Sequence, residues 1–95
     1  MLMTGEQFFA MLGRGGFVYA EKGIEVIVME RCVYPGEVKV EGPEAYGNIW
    51  LKGRAWDIGR NSGGLELTLL GRGGSGWYPM QNVFVNYQGQ EITRP

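Results

Sequence analysis

The feature that most constrains the fold is a series of short apolar–polar alternations in a chain rich in glycine. Residues 65–70 ("LELTLL") and 82–87 ("NVFVNY") place every second side chain on one side, as β-strands do. Glycine accounts for 17 of the 95 residues and is typical of the bends between such strands. The segments recur about every ten residues, which predicts a small antiparallel β-barrel or sandwich of six to seven short strands.

The other predicted strands show weaker or two-sided patterns. They are residues 17–21, 24–34, 37–41, 48–57 and a short final strand at 91–93. Turns or loops are predicted at residues 21–23, 34–37, 42–47, 59–64 and 71–76. The early part of 24–34 is apolar on both sides, which predicts a central strand covered on both faces. A bulge or an exit from the core is expected at residues 30–31, and Pro79 predicts a strand break or a sheet edge.

One helix is predicted near the N-terminus, over about residues 4–12. Thr4 is a good N-cap, and Gln7 three positions later completes a capping box. Phe8 and Phe9 give the helix an apolar side, and Gly13 is a natural C-terminal stop. The length of 95 residues fits a single domain, 1–95, in which this helix covers part of the sheet.

The stretch "WLKGRAW" is the strongest candidate for a binding surface. On a strand, one face carries the two tryptophans with Lys52 and Arg54, and the other carries Ile49, Leu51 and Ala55. Burying unpaired cations costs several kcal/mol, so Trp50 and Trp56 are predicted to face outward with them. A bulge at Gly53 would reverse this orientation. Without such a bulge, the outward-facing tryptophans would contact a partner, a second copy, or another part of the chain.

A second aromatic pair follows the glycine-rich loop predicted at residues 71–76. Trp77 and Tyr78 either form the rim of a binding site or plug the end of a small barrel. The predicted partner-binding residues are therefore Trp50, Lys52, Arg54, Trp56, Trp77 and Tyr78.

Glycine–arginine pairs suggest an alternative ligand. Glycine-rich loops expose backbone N–H groups that bind anions, and arginine adds a planar fork that fits phosphate. Arg14, Arg60 and Arg72 are the predicted anion-binding residues, with Arg54 as a further phosphate contact. The sequence "GRGG" occurs at residues 13–16 and 71–74. Neither loop has the spacing of a P-loop or of a dinucleotide fingerprint, so ordinary turns with solvated arginines are the competing interpretation.

The composition excludes several kinds of chemistry. The chain contains no histidine, which excludes Cys–His and Ser–His–Asp catalysis and the usual Cys/His zinc sites. The lone cysteine, Cys32, cannot form an intramolecular disulfide and lies in an apolar run typical of a buried thiol. The carboxylates are scattered over several strands and their spacing selects no catalytic pair. No enzymatic activity, cofactor or metal is expected.

The formal net charge of −1 argues against broad nucleic-acid binding. No apolar run is long enough to span a bilayer and no export signal is visible, so a cytoplasmic protein without membrane contact is expected. Short accessory proteins are built in this way, and phage-encoded inhibitors of a host defence system are one such class. The sequence predicts a non-enzymatic protein that binds a protein partner; the alternatives are a nucleotide-binding or nucleotide-sequestering protein and a subunit of a homo-oligomer.

Overall fold

The fold was analysed in a computed structural model that describes residues 1–13, 15–29, 49–71 and 74–93. The elements in chain order are strand β1 (Leu2–Thr4), helix α1 (Gly5–Leu12), strands β2 (Phe17–Met29), β3 (Ile49–Asn61), β4 (Gly64–Leu69) and β5 (Ser75–Pro79), a 3-10 turn (Met80–Asn82), and strand β6 (Val83–Asn86).

The six strands form one antiparallel sheet in the order β1-β6-β2-β3-β4-β5. The predicted mainly β class with one short N-terminal helix is confirmed. In the described residues the sheet is not closed, and β1 and β5 are its edges. Neither "barrel" nor "sandwich" is therefore a close description of this single open sheet.

Helix α1 begins and ends where the local signals predict. The Thr4 side chain accepts a hydrogen bond from the Gln7 backbone N–H, and the Gln7 side chain accepts one from the Thr4 N–H. Gly13 adopts a left-handed conformation, with φ of 68°, and closes the last turn. Phe8 and Phe9 are buried with their rings edge to face, 5.4 Å apart.

The main core lies between α1 and one side of the sheet, which we call the inner face. Its buried strand residues alternate along each strand, as the sequence pattern predicts for β4 and β6. They are Val18, Ala20, Ile24, Val26, Val28, Ala55, Ile58, Leu65, Leu67, Leu69, Val83 and Val85, together with Met3 of β1. The opposite side of the sheet is called the outer face.

Strand β2 lies at the centre of the sheet and is buried on both sides, as predicted. Val26 and Val28 belong to the main core, while Ile27, Met29 and Phe84 form a second buried cluster on the outer face. The predicted tight turn at residues 21–23 is wrong, because β2 runs through it as one strand. The segment is instead an irregularity in the pairing with β3.

The predicted loop at residues 59–64 is also wrong. Strand β3 extends to Asn61, and only Ser62 and Gly63 form the turn into β4. Both have positive φ, 51° and 79°, as a two-residue type I′ hairpin requires. The predicted edge position of Pro79 is confirmed, since β5 is an edge strand. The predicted final strand is reduced to one bridge between Thr93 and Tyr19.

Several predictions fall on residues outside the described ranges. They are the buried Cys32, the bulge at 30–31, the turn at 34–37, the strand at 37–41 and the connection at 42–47.

Candidate functional site

Strand β3 exposes the side chains that its alternation predicts. Trp50 is 66% exposed and Trp56 is 37% exposed, and Lys52 and Arg54 are exposed as well. Ala55 is fully buried, as predicted. The expectation for Ile49 is wrong, because this side chain is 54% exposed.

The exception at Ile49 has its cause in the pairing of β3. Val28 pairs with Leu51 but Met29 pairs with Ile49, so Trp50 is an extra residue in the ladder with β2. That extra residue reverses the alternation beyond it. It pairs Ile49 with Met29 of the outer-face cluster instead of placing it with the main core.

A second irregularity lies at Trp56. Ala55 pairs with Leu69 and Asp57 with Thr68, which leaves Trp56 without a partner on β4. The alternative of a bulge at Gly53 is wrong, since Gly53 pairs in register with Val26.

The two tryptophans of β3 therefore have different surroundings. The Trp50 ring meets Tyr78 edge to face at 5.5 Å, and Tyr78 packs against the main core. The Trp56 ring stacks on Tyr19 of β2, also at 5.5 Å, with 29° between the ring planes. The predicted single surface is thus divided into two separate aromatic pairs.

Arg54 is engaged within the chain. Its Nη2 donates to the carbonyls of Gly23 at 2.7 Å and Lys22 at 3.2 Å, and its Nε donates to Lys22 at 3.3 Å. These bonds hold the irregular segment of β2 that lies opposite Trp56. Gly23 there has φ of 76°, a turn-like conformation inside a strand.

Lys52 is also partnered, but weakly. Its Nζ lies 3.8 Å from a carboxylate oxygen of Glu25, and the two side chains are 59% and 30% exposed. An ion pair as exposed as this contributes little to stability. Neither cation of "WLKGRAW" is therefore free of intrachain contacts, although Lys52 stays accessible.

A larger aromatic surface lies on the outer face beyond Trp56. Phe17 pairs with Gly59, and a Cβ at Gly59 would overlap the Phe17 ring. Trp77 of β5 covers Gly64 in the same way, and its indole N–H donates to the Asn61 carbonyl at the end of the hairpin. The glycines are thus the places where the strands accommodate the rings.

We call Phe17, Tyr19, Trp56 and Trp77 the aromatic face. Phe17, Trp56 and Trp77 are 36%, 37% and 47% exposed. They come from three different strands, and the register of those strands places them around a common patch of the outer face. Phe17, Gly59, Glu66 and Trp77 lie in one row across the sheet, so the Cα atoms of Phe17 and Trp77 are three strand spacings, ~14 Å, apart. Each ring leans inward over the neighbouring strand, Phe17 over Gly59 and Trp77 over Gly64.

Two carboxylates lie between these aromatic residues. Asp57 pairs with Tyr19 on one side, and Glu66 pairs with Trp77 on the other. In the described part of the chain neither carboxylate has an ion-pair partner, and Asp57 Oδ1 is buried without a hydrogen bond. Burial, and then the nearby Glu66 charge, raise the pKa of Asp57 above its ordinary value of 3.8. The patch is therefore apolar at its margin and acidic at its centre.

Of the predicted anion-binding residues, the structure describes only Arg60. The Arg60 guanidinium lies 5.9 Å from the centre of the Phe9 ring, over helix α1. Arg14 and Arg72 lie outside the described residues. A surface cavity of about 320 Å³ is lined by Glu21, Lys22, Gln90, Glu91 and Thr93, whose charges favour no anion.

The sequence reasoning missed Phe17, Tyr19, Asp57 and Glu66 as members of a common surface. Phe17 and Tyr19 are two positions apart in the strand predicted at residues 17–21, so local alternation can indicate only that they share one face. Their position beside Asp57 depends on the register between β2 and β3, which no local pattern contains. A glycine opposite an exposed aromatic residue becomes informative only once that register is known.

Fold and surface together describe a small mainly β protein with an exposed aromatic face. Searches against protein-family models, curated proteins and solved structures find no match to this chain. Among the described residues, no helix has the length and apolar character needed to cross a membrane. The same residues contain no group of three or more potential metal ligands.

Proposed function

We propose that the protein is a non-enzymatic binding module that docks a protein partner through its aromatic face. The observation that carries the proposal is the convergence of Phe17, Trp56 and Trp77 on one side of one sheet, each more than a third exposed. Tryptophan is the residue type most enriched at the centres of protein interfaces. Burying these rings would remove a large apolar area from water.

The aromatic face is also held in place before any partner arrives. Trp56 stacks on Tyr19, and the Tyr19 backbone is fixed by two hydrogen bonds to Thr93, of 2.9 and 2.7 Å. Trp77 is held by its hydrogen bond to Asn61. Side chains fixed in this way lose less conformational entropy on binding, which favours affinity.

This proposal moves the docking surface away from the original candidate. Trp56 and Trp77 are retained, whereas Trp50 forms a separate pair with Tyr78, which packs against the main core. Arg54 is assigned a structural role, because its donors are used by the Lys22 and Gly23 carbonyls. A nucleotide as ligand is disfavoured at the aromatic face, since two carboxylates would repel its phosphates.

The two tryptophans of β3 offer a matched test. Tagged wild-type protein, Trp56→Ala and Trp50→Ala would be expressed in the native host, and co-purifying proteins quantified by mass spectrometry. We expect one protein to be recovered with the wild type and Trp50→Ala, and to be depleted with Trp56→Ala. Circular dichroism would establish that both variants are folded. Equal recovery with all three proteins, or dependence on Trp50 alone, would contradict the proposal.

A further inference from the structure

Two carboxylates without an ion-pair partner among the described residues lie at the centre of the aromatic face. Asp57 of β3 and Glu66 of β4 are diagonal neighbours, since Asp57 pairs with Thr68 and Gly59 with Glu66. Diagonal positions of this kind are about 7–8 Å apart, so one planar group can reach both carboxylates. No described residue forms an ion pair with either, and one oxygen of Asp57 is buried and unpartnered.

The aromatic rings around these carboxylates would also attract a cation. Phe17 lies over Gly59, and Trp77 lies over Gly64 on the far side of Glu66. Aromatic faces attract cations, and guanidinium groups stack on tryptophan. Carboxylates at the centre and aromatic rings at the margin both favour a positively charged group.

We propose that the patch between Phe17, Trp56 and Trp77 receives an arginine side chain from a basic segment of the protein partner, paired with Asp57 and Glu66. This inference rests on the proposed function and adds the chemistry of the partner. An apolar segment would bury both carboxylates without partners, which is costly. Arginine is favoured over lysine because its planar fork can serve two carboxylates and stack on an indole.

The test uses a peptide probe and an isosteric control. Isotope-labelled protein would be titrated with Ac-Gly-Arg-Gly-Arg-Gly-NH2 and, separately, with the same peptide carrying neutral citrulline in place of arginine. We expect the arginine peptide to shift the indole signals of Trp56 and Trp77 and the side-chain carboxyl signals of Asp57 and Glu66, in a saturable manner. The citrulline peptide should leave them in place.

Variants separate this site from general attraction to acidic residues. The double variant Asp57→Asn, Glu66→Gln should bind the arginine peptide at least about tenfold more weakly, because both charged contacts to the guanidinium are lost. Glu25→Gln is the matched control, because Glu25 lies on the same outer face but pairs with Lys52. It should bind as the wild type does.

Three results would overturn the inference. They are equal shifts with both peptides, no loss of binding in the double variant, and self-association in the ultracentrifuge that the double variant abolishes. The last result would identify a second copy as the occupant. If the host partner still depends on Trp56 while the arginine peptide does not bind, this inference fails and the proposed function stands.

Discussion

At the scale of single residues, the cost of burying a cation correctly predicts the exposure of Lys52 and Arg54. It does not predict their contacts. Arg54 lies beside an irregular strand segment whose carbonyls it binds, and Lys52 forms only an exposed ion pair. Two cations that look equivalent in "WLKGRAW" therefore differ in what they contribute to stability.

We expect Arg54→Ala to lower the free energy of unfolding by about 1–2 kcal/mol, because three hydrogen bonds are lost and the Lys22 and Gly23 carbonyls lose their partner. Lys52→Ala should cost less than about 0.5 kcal/mol. Chemical denaturation of both variants measures the difference. Equal effects would show that Arg54 does not hold the irregular segment of β2.

The raised pKa of Asp57 predicts how the stability of the protein depends on pH. Burial and the Glu66 charge raise its pKa above 3.8, so the folded protein holds this proton more tightly than the unfolded chain. The contribution of Asp57 to the free energy of unfolding should therefore fall as the pH rises from 3.8 through the raised pKa of the folded protein. Asp57→Asn should be more stable than the wild type at neutral pH and should vary less across that interval. Thermal unfolding over a pH series tests this, and parallel curves for the two proteins would contradict it.

At the scale of elements, the sequence correctly predicts the features that depend only on residues close together in the chain. The caps of α1 and the alternation of β4 and β6 depend on residues a few positions apart, and all are confirmed. The predicted turn at 21–23 failed because Arg54, from another strand, stabilises those residues inside β2. The aromatic face could not be predicted because it depends on the register between strands.

The glycines beneath the rings provide a test of that register. We expect Gly59→Ala and Gly64→Ala to destabilise the protein by about 1–3 kcal/mol each. The added methyl group would overlap the Phe17 ring at position 59, and the Tyr78 carbonyl and the Trp77 ring at position 64. Gly53→Ala is the matched control, because its Cβ would meet Leu69 at an ordinary 3.5 Å. Denaturation midpoints decide the matter. A loss at position 53 as large as at 59 and 64 would mean that the rings do not lie over those glycines.

At the scale of the whole molecule, one sheet has two differently used sides. The inner face packs on α1 and forms the main core, while the outer face exposes three large aromatic side chains around two carboxylates. An exposed patch of this kind favours association with a partner. The partner's identity, the cytoplasmic location and an inhibitor role stay predictions from the sequence.

We expect the partner to cover the aromatic face. The chain has three tryptophans, so the indole N–H region of a nitrogen-15 NMR spectrum reports on each separately. The labelled protein would be titrated with the partner isolated from the host, and the signals assigned by Trp→Phe variants. If the partner covers the aromatic face, the Trp56 and Trp77 signals should shift or broaden while that of Trp50 changes least. A change confined to Trp50, or no change in any indole signal when the partner binds, would contradict it.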